Sequence, residues 1–181
     1  MKKDCFGIFI DSNIFISYSR KKDKNHYECK KFIDSIIKDF SDNKKLKFFV
    51  SRFSGVETAS ALRRKKSRKD AEAFLFKKEL SWKKIFLPLP PNPEEKFKIE
   101  DFITELIEIA LKFGTDFSDT IQTHSIETYK EQIDYIITED KDYKNRLQKR
   151  FRRIKVCSLK DKVISILNSL IKTKNETTNT I

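Results

Sequence analysis

Apolar residues along this chain fall into short unbroken runs, separated by longer stretches where they recur every three or four positions. Phe6-Gly7-Ile8-Phe9-Ile10 is the first run, and its continuous apolar character predicts a buried central strand. Leu46–Ser51, Asp134–Thr138 and Ile154–Cys157 read as further strands. Between them, Phe32, Ile33, Ile36, Ile37 and Phe40 have helical spacing and predict a helix over 24–40. Helices are also expected from about Gly55 through Leu62 into a basic run, over 71–80, over 94–113, from a cap at Asp116 to about Gln132, and over 158–170. Gly114 suits a helix stop, and the proline-rich stretch Leu87 to Pro93 must be extended. Strands alternating with helices predict an α/β architecture: a three-layer α/β/α sandwich around a central, mainly parallel sheet. The whole reads as one domain over 1–171, with a helical and proline-rich insertion at about 65–100 and a flexible tail at 172–181.

Charge adds a partner to this picture. The 181 residues carry 39 Lys and Arg against 27 Asp and Glu, a net charge of +12. That excess points to a polyanion, nucleic acid before membrane, although a lysine-rich surface that only aids solubility gives the same number. No run reaches the ~18 apolar residues of a membrane span. The three cysteines, Cys5, Cys29 and Cys157, form no zinc spacing, and an odd count suits a reduced, cytoplasmic protein.

The candidate chemistry lies in four acids. Asp11 closes the first strand, Glu57 follows the second, Asp119 opens the helix after Gly114, and Asp140 follows the strand at Tyr135. In open α/β sheets the ligand crevice lies at the carboxyl ends of the strands. Acids converging there repel each other unless a cation sits between them, and Mg²⁺ or Mn²⁺ prefers carboxylate oxygen and water.

The motifs carry a resemblance to the PIN domain family, of the VapC-like kind. Ile10-Asp11-Ser12-Asn13 resembles its opening motif, and Ser54-Gly55-Val56-Glu57 its second. Gly114 to Asp119 resembles the third, and Asp134 to Tyr143, with Thr138-Glu139-Asp140-Lys141-Asp142, the fourth. The likeness spans roughly residues 5–167. The chain departs from it in the long stretch between Glu57 and Asp119, and in Gln122 and Thr123, which stand where small apolar residues are common. The resemblance implies metal-dependent cleavage of RNA phosphodiesters by a toxin of a toxin–antitoxin pair or by an RNA-processing nuclease. It implies Asp11, Glu57, Asp119 and Asp140 as catalytic metal ligands, with Asp142 as an outer participant and Ser12, Asn13 and Thr138 orienting the carboxylates. RNA, an antitoxin protein and a second copy of the chain are the partners it brings with it.

Two basic clusters are candidate RNA contacts: Arg63, Arg64 and Lys65 after Glu57, and Lys149, Arg150, Arg152 and Arg153 after Asp140. Solvated faces are the plainer reading of both. Glu57 has a plain reading too, as partner of Ser54 in a capping box, and Asp119 as a favourable charge at a helix start. His26 and His124 lack metal spacing, and Trp82 reads as a packing residue rather than a base-stacking one. The function class opposed to the nuclease is a non-catalytic RNA-binding module that retains the fold. A phospho-acceptor domain fits less well, because it gives Glu57 no role.

Overall fold

The computed structural model describes residues 5–51, 53–65, 67–74, 82, 85–89 and 99–172. Among these residues five parallel strands form one sheet: β1 (Phe6–Ile10), β2 (Leu46–Ser51), β3 (Phe86–Leu89), β4 (Tyr135–Ile137) and β5 (Lys155–Cys157), in the order β3-β2-β1-β4-β5. Helices α1 (Ser12–Ser19), α2 (His26–Ser35), α3 (Ser54–Lys65), α4 (Arg68–Ala73), α5 (Ile99–Phe113), α6 (Phe117–Thr128), α7 (Lys141–Arg150) and α8 (Val163–Lys172) surround it. This is the three-layer α/β/α architecture expected from the alternating pattern.

The layers follow from the two-residue period of a strand. Ile8 and Ile10 of β1, Phe48 of β2, Ile137 of β4 and Cys157 of β5 face one side. They meet Ile14 and Phe15 of α1, Phe32 and Ile33 of α2, and Val163 and Leu167 of α8. The intervening Phe9, Phe49, Ile136 and Val156 face the other side, against Ile126 of α6 and Tyr143 and Leu147 of α7. Each fully buried side chain of this kind contributes about 1.5–3 kcal/mol.

Several elements differ from the periodicity. Ser12–Ser19 is a helix, packed against α3, that the apolar pattern alone did not announce. The helix expected over 24–40 is α2 followed by a wide π turn at Ile36–Phe40, which turns both Ile36 and Phe40 into the core. The helix expected over 158–170 becomes a short 3-10 turn at Leu159–Asp161, a left-handed Lys162 (φ 55°), and then α8. Most consequential is β3. Phe86–Leu89 is extended as expected, but it also pairs in parallel with β2, Phe48 against Phe86 and Ser51 against Leu89. Part of the stretch 65–100 is therefore an edge strand of the sheet, where Pro88 is tolerated because an edge needs fewer N–H donors. Trp82 packs beside β3 against Phe15, Tyr18, Phe74 and Phe86, with ring centroids 5.3–6.1 Å apart. The expected helix over 71–80 is described only in its first residues, and most of the proline-rich stretch and the tail past Lys172 lie outside the described residues.

At Gly7 the backbone of the loop before β4 comes very close. The Asp134 N–H donates to the Gly7 carbonyl at 2.8 Å, and the Gly7 N–H donates to the Asp134 carboxylate at 2.8 Å. A Cβ at Gly7 would lie 1.8 Å from the Gln132 carbonyl oxygen. Gly7→Ala should therefore lower the unfolding free energy by about 3 kcal/mol or more, at or beyond the upper end for overpacking. Gly114→Ala, at φ 56° with open space around it, should cost only about 1 kcal/mol. Urea unfolding midpoints of the two variants check this, and equal shifts would contradict it.

Candidate active site

Strand ends and helix starts meet at one edge of the sheet. Asp11 follows β1 and is the N-cap of α1, with its carboxylate accepting the Asn13 N–H at 3.3 Å. It is buried, 2% exposed. The register sets Ile10 beside Ile137, so Thr138 comes level with Asp11 on the neighbouring strand. The Thr138 hydroxyl donates to Asp11 Oδ2 at 2.5 Å, and the Ser12 hydroxyl donates to Oδ1 at 3.4 Å. Thr138 Oγ1 in turn accepts the Asn13 side-chain amide at 3.0 Å and the Asp140 N–H at 3.1 Å. Asn13 Oδ1 accepts the Glu139 N–H at 3.4 Å. Ser12, Asn13 and Thr138 thus tie the end of β1 to the end of β4.

Glu57 lies in the first turn of α3, its N–H donating to the Phe53 carbonyl at 3.0 Å. Ser54 Oγ is buried without a hydrogen-bond partner, so the capping box that the sequence suggested is not made. Glu57 Oε2 is likewise buried without a partner. Burial pushes the Glu57 carboxyl up to about 7; the neighbouring Ser12 hydroxyl opposes this, and the charges of Asp11, Asp119 and Asp116 add to it. Asp119 sits in the first turn of α6, capped by Asp116, whose Oδ1 accepts the Asp119 N–H at 2.9 Å. Burial also pushes Asp119 up to about 7, with Asp116, Asp11 and Asp140 adding and Arg146 opposing. The Asp11 carboxyl is raised by burial, against the hydrogen bonds of Thr138, Gln122 and Asn13. Asp140 is the N-cap of α7, its carboxylate accepting the Tyr143 N–H at 2.9 Å. The four acids singled out in the sequence therefore share one electrostatic neighbourhood. Asp142 is exposed in the first turn of α7.

Several residues at the site had escaped the sequence reading as participants. Gln122 is buried and accepts the Ser12 N–H at 3.2 Å while donating to Ser12 Oγ at 3.0 Å. The buried Tyr143 hydroxyl lies 3.1 Å from Thr123 Oγ1 and donates to the Asp119 carbonyl at 3.4 Å, joining α7 to α6. The only signal for Gln122 and Thr123 was their polarity at positions suited to small apolar residues. Arg146 reaches to 3.9 Å from Asp119 Oδ2 and donates to the Gly114 carbonyl at 3.0 Å. His26 is half-buried, its Nδ1 3.0 Å from the Ser17 carbonyl oxygen, and His124 is buried against Glu105 at 2.6 Å; neither adjoins the acids.

The basic clusters separate from one another. Arg63 and Arg64 are exposed on α3, beyond Glu57. Lys65 ends that helix. α7 leaves the acids and runs ten residues, ~15 Å at 1.5 Å per residue, toward the opposite end of the sheet. Lys149, Arg152 and Arg153 are exposed at that far end. Arg150 is ion-paired with Glu127 and lies over the Phe151 ring, 5.6 Å from its centroid. The cations Lys149 to Arg153 therefore do not flank the acids, because a helix between strands carries its two ends to opposite edges of the sheet.

A hard divalent cation suits this donor set. The donors are all oxygen, they repel one another, and one buried oxygen of Glu57 lacks a partner. Among the described residues, however, no three His, Cys, Asp or Glu side chains are drawn into a ready cage.

Burial and mutual repulsion make the site costly when ionised. The folded chain keeps protons on Glu57 and Asp119 up to about 7, whereas the ordinary values are 4.5 and 3.8. Without divalent ions, stability from these groups is full below pH ~4, falls through the interval up to ~7, and is flat above it. Glu57→Gln and Asp119→Asn should therefore raise the melting temperature at pH 8 by a few degrees and change it little at pH 4. Millimolar Mg²⁺ should raise the melting temperature of the unaltered chain at pH 8 and not at pH 4. Thermal scans at both pH values check this, and a pH-independent effect of either substitution would contradict it.

No protein-family model matches the chain, and no curated protein matches it. Solved structures do. VapC20 of Mycobacterium tuberculosis, described as a sarcin-ricin loop cleaving toxin, superposes with a TM-score of 0.54 at 16% identity, over 76% of this chain and 93% of its own. FitAcB of Neisseria gonorrhoeae superposes with a TM-score of 0.50 at 12% identity, over 84% of this chain and 97% of its own. At such identities the likeness speaks for the backbone. The fold of this chain is the one that VapC20 and FitAcB share, in keeping with the PIN-like architecture that the sequence resemblance implied.

Proposed function

We propose that this chain is a Mg²⁺- or Mn²⁺-dependent ribonuclease, acting in the cytoplasm through a single domain over residues 1–171. The observation that carries the reading is the electrostatic convergence of Asp11, Glu57, Asp119 and Asp140 at one sheet edge. In this reading the four acids hold the cation and Asp142 stands outside them. A cation held by Asp11, Glu57, Asp119 and Asp140 would supply charge neutralisation at the scissile phosphate and a lowered pKa for an attacking water. Thr138 and Ser12 fix the two Asp11 oxygens, as hydrogen-bonded neighbours of metal ligands do. Gln122 fixes Ser12. Arg146, beside Asp119, is placed to meet a phosphate oxygen. VapC20 is described as cleaving the sarcin-ricin loop, so an RNA hairpin of that sequence is the first substrate to try. A toxin that an antitoxin holds in check and an RNA-processing nuclease share this chemistry. The fold accords with either, and among the described residues no helix is long and apolar enough to cross a membrane. The alternative, a non-catalytic RNA-binding module, draws on the absence of a ready cage among the described acids.

Asp11→Asn and Asp140→Asn should each abolish Mn²⁺-dependent cleavage of labelled RNA. Both should stay folded, since Asn caps a helix as well as Asp does. Thr138→Val should lower activity by roughly 10–100-fold, the usual loss when the group orienting a ligand is removed. Undiminished cleavage by both aspartate variants would refute the reading, and so would an unaltered chain that binds RNA but never cuts it.

A further inference from the structure

The cations of α7 do not form one undivided basic surface. Arg146 and Arg150, one turn apart, face α6 and are engaged there by Asp119 and Glu127. Lys144 of α7 and Arg152, two residues past the end of that helix, instead line a groove of about 700 Å³ against the edge strand β5. Lys155 of β5 and Lys160 and Lys162 of the following turn complete it, and the one acid in its lining, Asp161, is bonded to Lys144 at 2.7 Å. Lys155, Lys160 and Lys162 are exposed and form no ion pair among the described residues.

One end of the groove lies a helical turn from Asp140, whose carbonyl accepts the Lys144 N–H at 2.9 Å. Cys157 lies in register with Ile137, so the residues after β5 stand beside Thr138 and Asp140. Glu139 Oε1 accepts the Leu159 N–H at 2.5 Å, fastening the turn that bears Lys160 and Lys162 to the residue before Asp140. Protection of an open sheet edge by lysine would account for Lys155 alone. It does not account for Lys160 and Lys162, which lie past the strand, or for Arg152, which precedes it. Lys162 also has a left-handed backbone (φ 55°), a conformation that favours glycine, yet it carries a long cation into the groove.

We propose that this groove between α7 and the β5 edge is the track that holds the backbone of single-stranded RNA leading away from the acids. Lys155, Lys160 and Lys162 take phosphates there, with Lys144 and Arg152 on the facing wall. The choice of RNA as occupant rests on the ribonuclease reading. The contacts are to phosphate, so they add affinity without reading sequence. They also place the track on the opposite side of α7 from Arg146 and Arg150.

The test is binding of fluorescently labelled single-stranded RNA without divalent ions, measured by anisotropy from 50 to 200 mM salt. The variant is K155Q/K160Q/K162G, in which glycine accepts the backbone of residue 162. The control is K21Q/K22Q/K24Q, which removes the same charge from an exposed loop. With ~0.7 per single-strand phosphate contact, the groove variant should lose about 2 from the slope of log K against log salt. The unaltered chain should then lose roughly 20-fold more affinity than the variant across that salt range, and the control should follow the unaltered chain. An unchanged slope in the groove variant overturns the proposal, whether the groove then proves empty or occupied by an acidic protein segment. Equal loss in variant and control overturns it as well, since only net charge would then matter. Mn²⁺-dependent cleavage by the unaltered chain, assayed alongside, separates the two readings. Cleavage with an unchanged slope sinks the track and spares the nuclease. A fallen slope without cleavage spares the track and sinks the nuclease.

Discussion

The hydrogen bond from Thr138 to the buried Asp11 carboxylate is the constraint on which the site turns. Burying a carboxylate without partners is expensive, and here that burial raises its pKa. The parallel pairing of β1 with β4 offsets the cost by bringing a hydroxyl level with it. That hydroxyl accepts from Asn13 and from the Asp140 N–H, so one oxygen ties together both strand ends and the start of α7. A one-residue slip of β4 would turn Thr138 to the other face and leave Asp11 without its strongest donor.

The acids also have structural duties. Asp11, Asp116 and Asp140 each cap a helix, and Glu57 and Asp119 lie in first turns, where the helix N-terminus favours negative charge. Capping and the candidate chemistry thus use the same residues and do not exclude one another. The favourable helix ends still do not outweigh burial and mutual repulsion at Glu57 and Asp119, whose carboxyls remain near neutrality. A site that is hard to ionise when empty gains most from a cation that neutralises it.

Cations are distributed by helix geometry. α7 turns Tyr143 and Leu147 into the core. Arg146 and Arg150 lie to one side of that apolar face and Lys144 to the other. Arg146 lies 3.9 Å from Asp119 of α6, and Arg150 is ion-paired with Glu127 of the same helix. Lys144 looks over the edge strand β5, where Lys155, Lys160 and Lys162 keep the groove basic although Asp161 engages Lys144. A net charge of +12 says only that a polyanion is attracted. Which cations are free to meet it depends on which side of the helix each one occupies.

The sequence by itself determined the layered architecture, four of the five strands, and the places of Asp11, Glu57, Asp119 and Asp140 at strand ends and helix starts. These are local matters: two-residue and 3.6-residue periods, caps and stops are written within a few neighbouring positions. What only the tertiary structure decided depends on residues far apart in the chain. Phe86–Leu89 is a strand because β2 offers it an open edge, a fact invisible within a proline-rich segment. Gln122 matters because it reaches Ser12 from 110 positions away. Tyr143 matters because its hydroxyl crosses to α6. Lys149 to Arg153 are close to Asp140 along the chain but far from it in space, because ten helical residues separate them. Sequence distance is a good guide within one element and a poor one across a helix, and the site is made where elements meet.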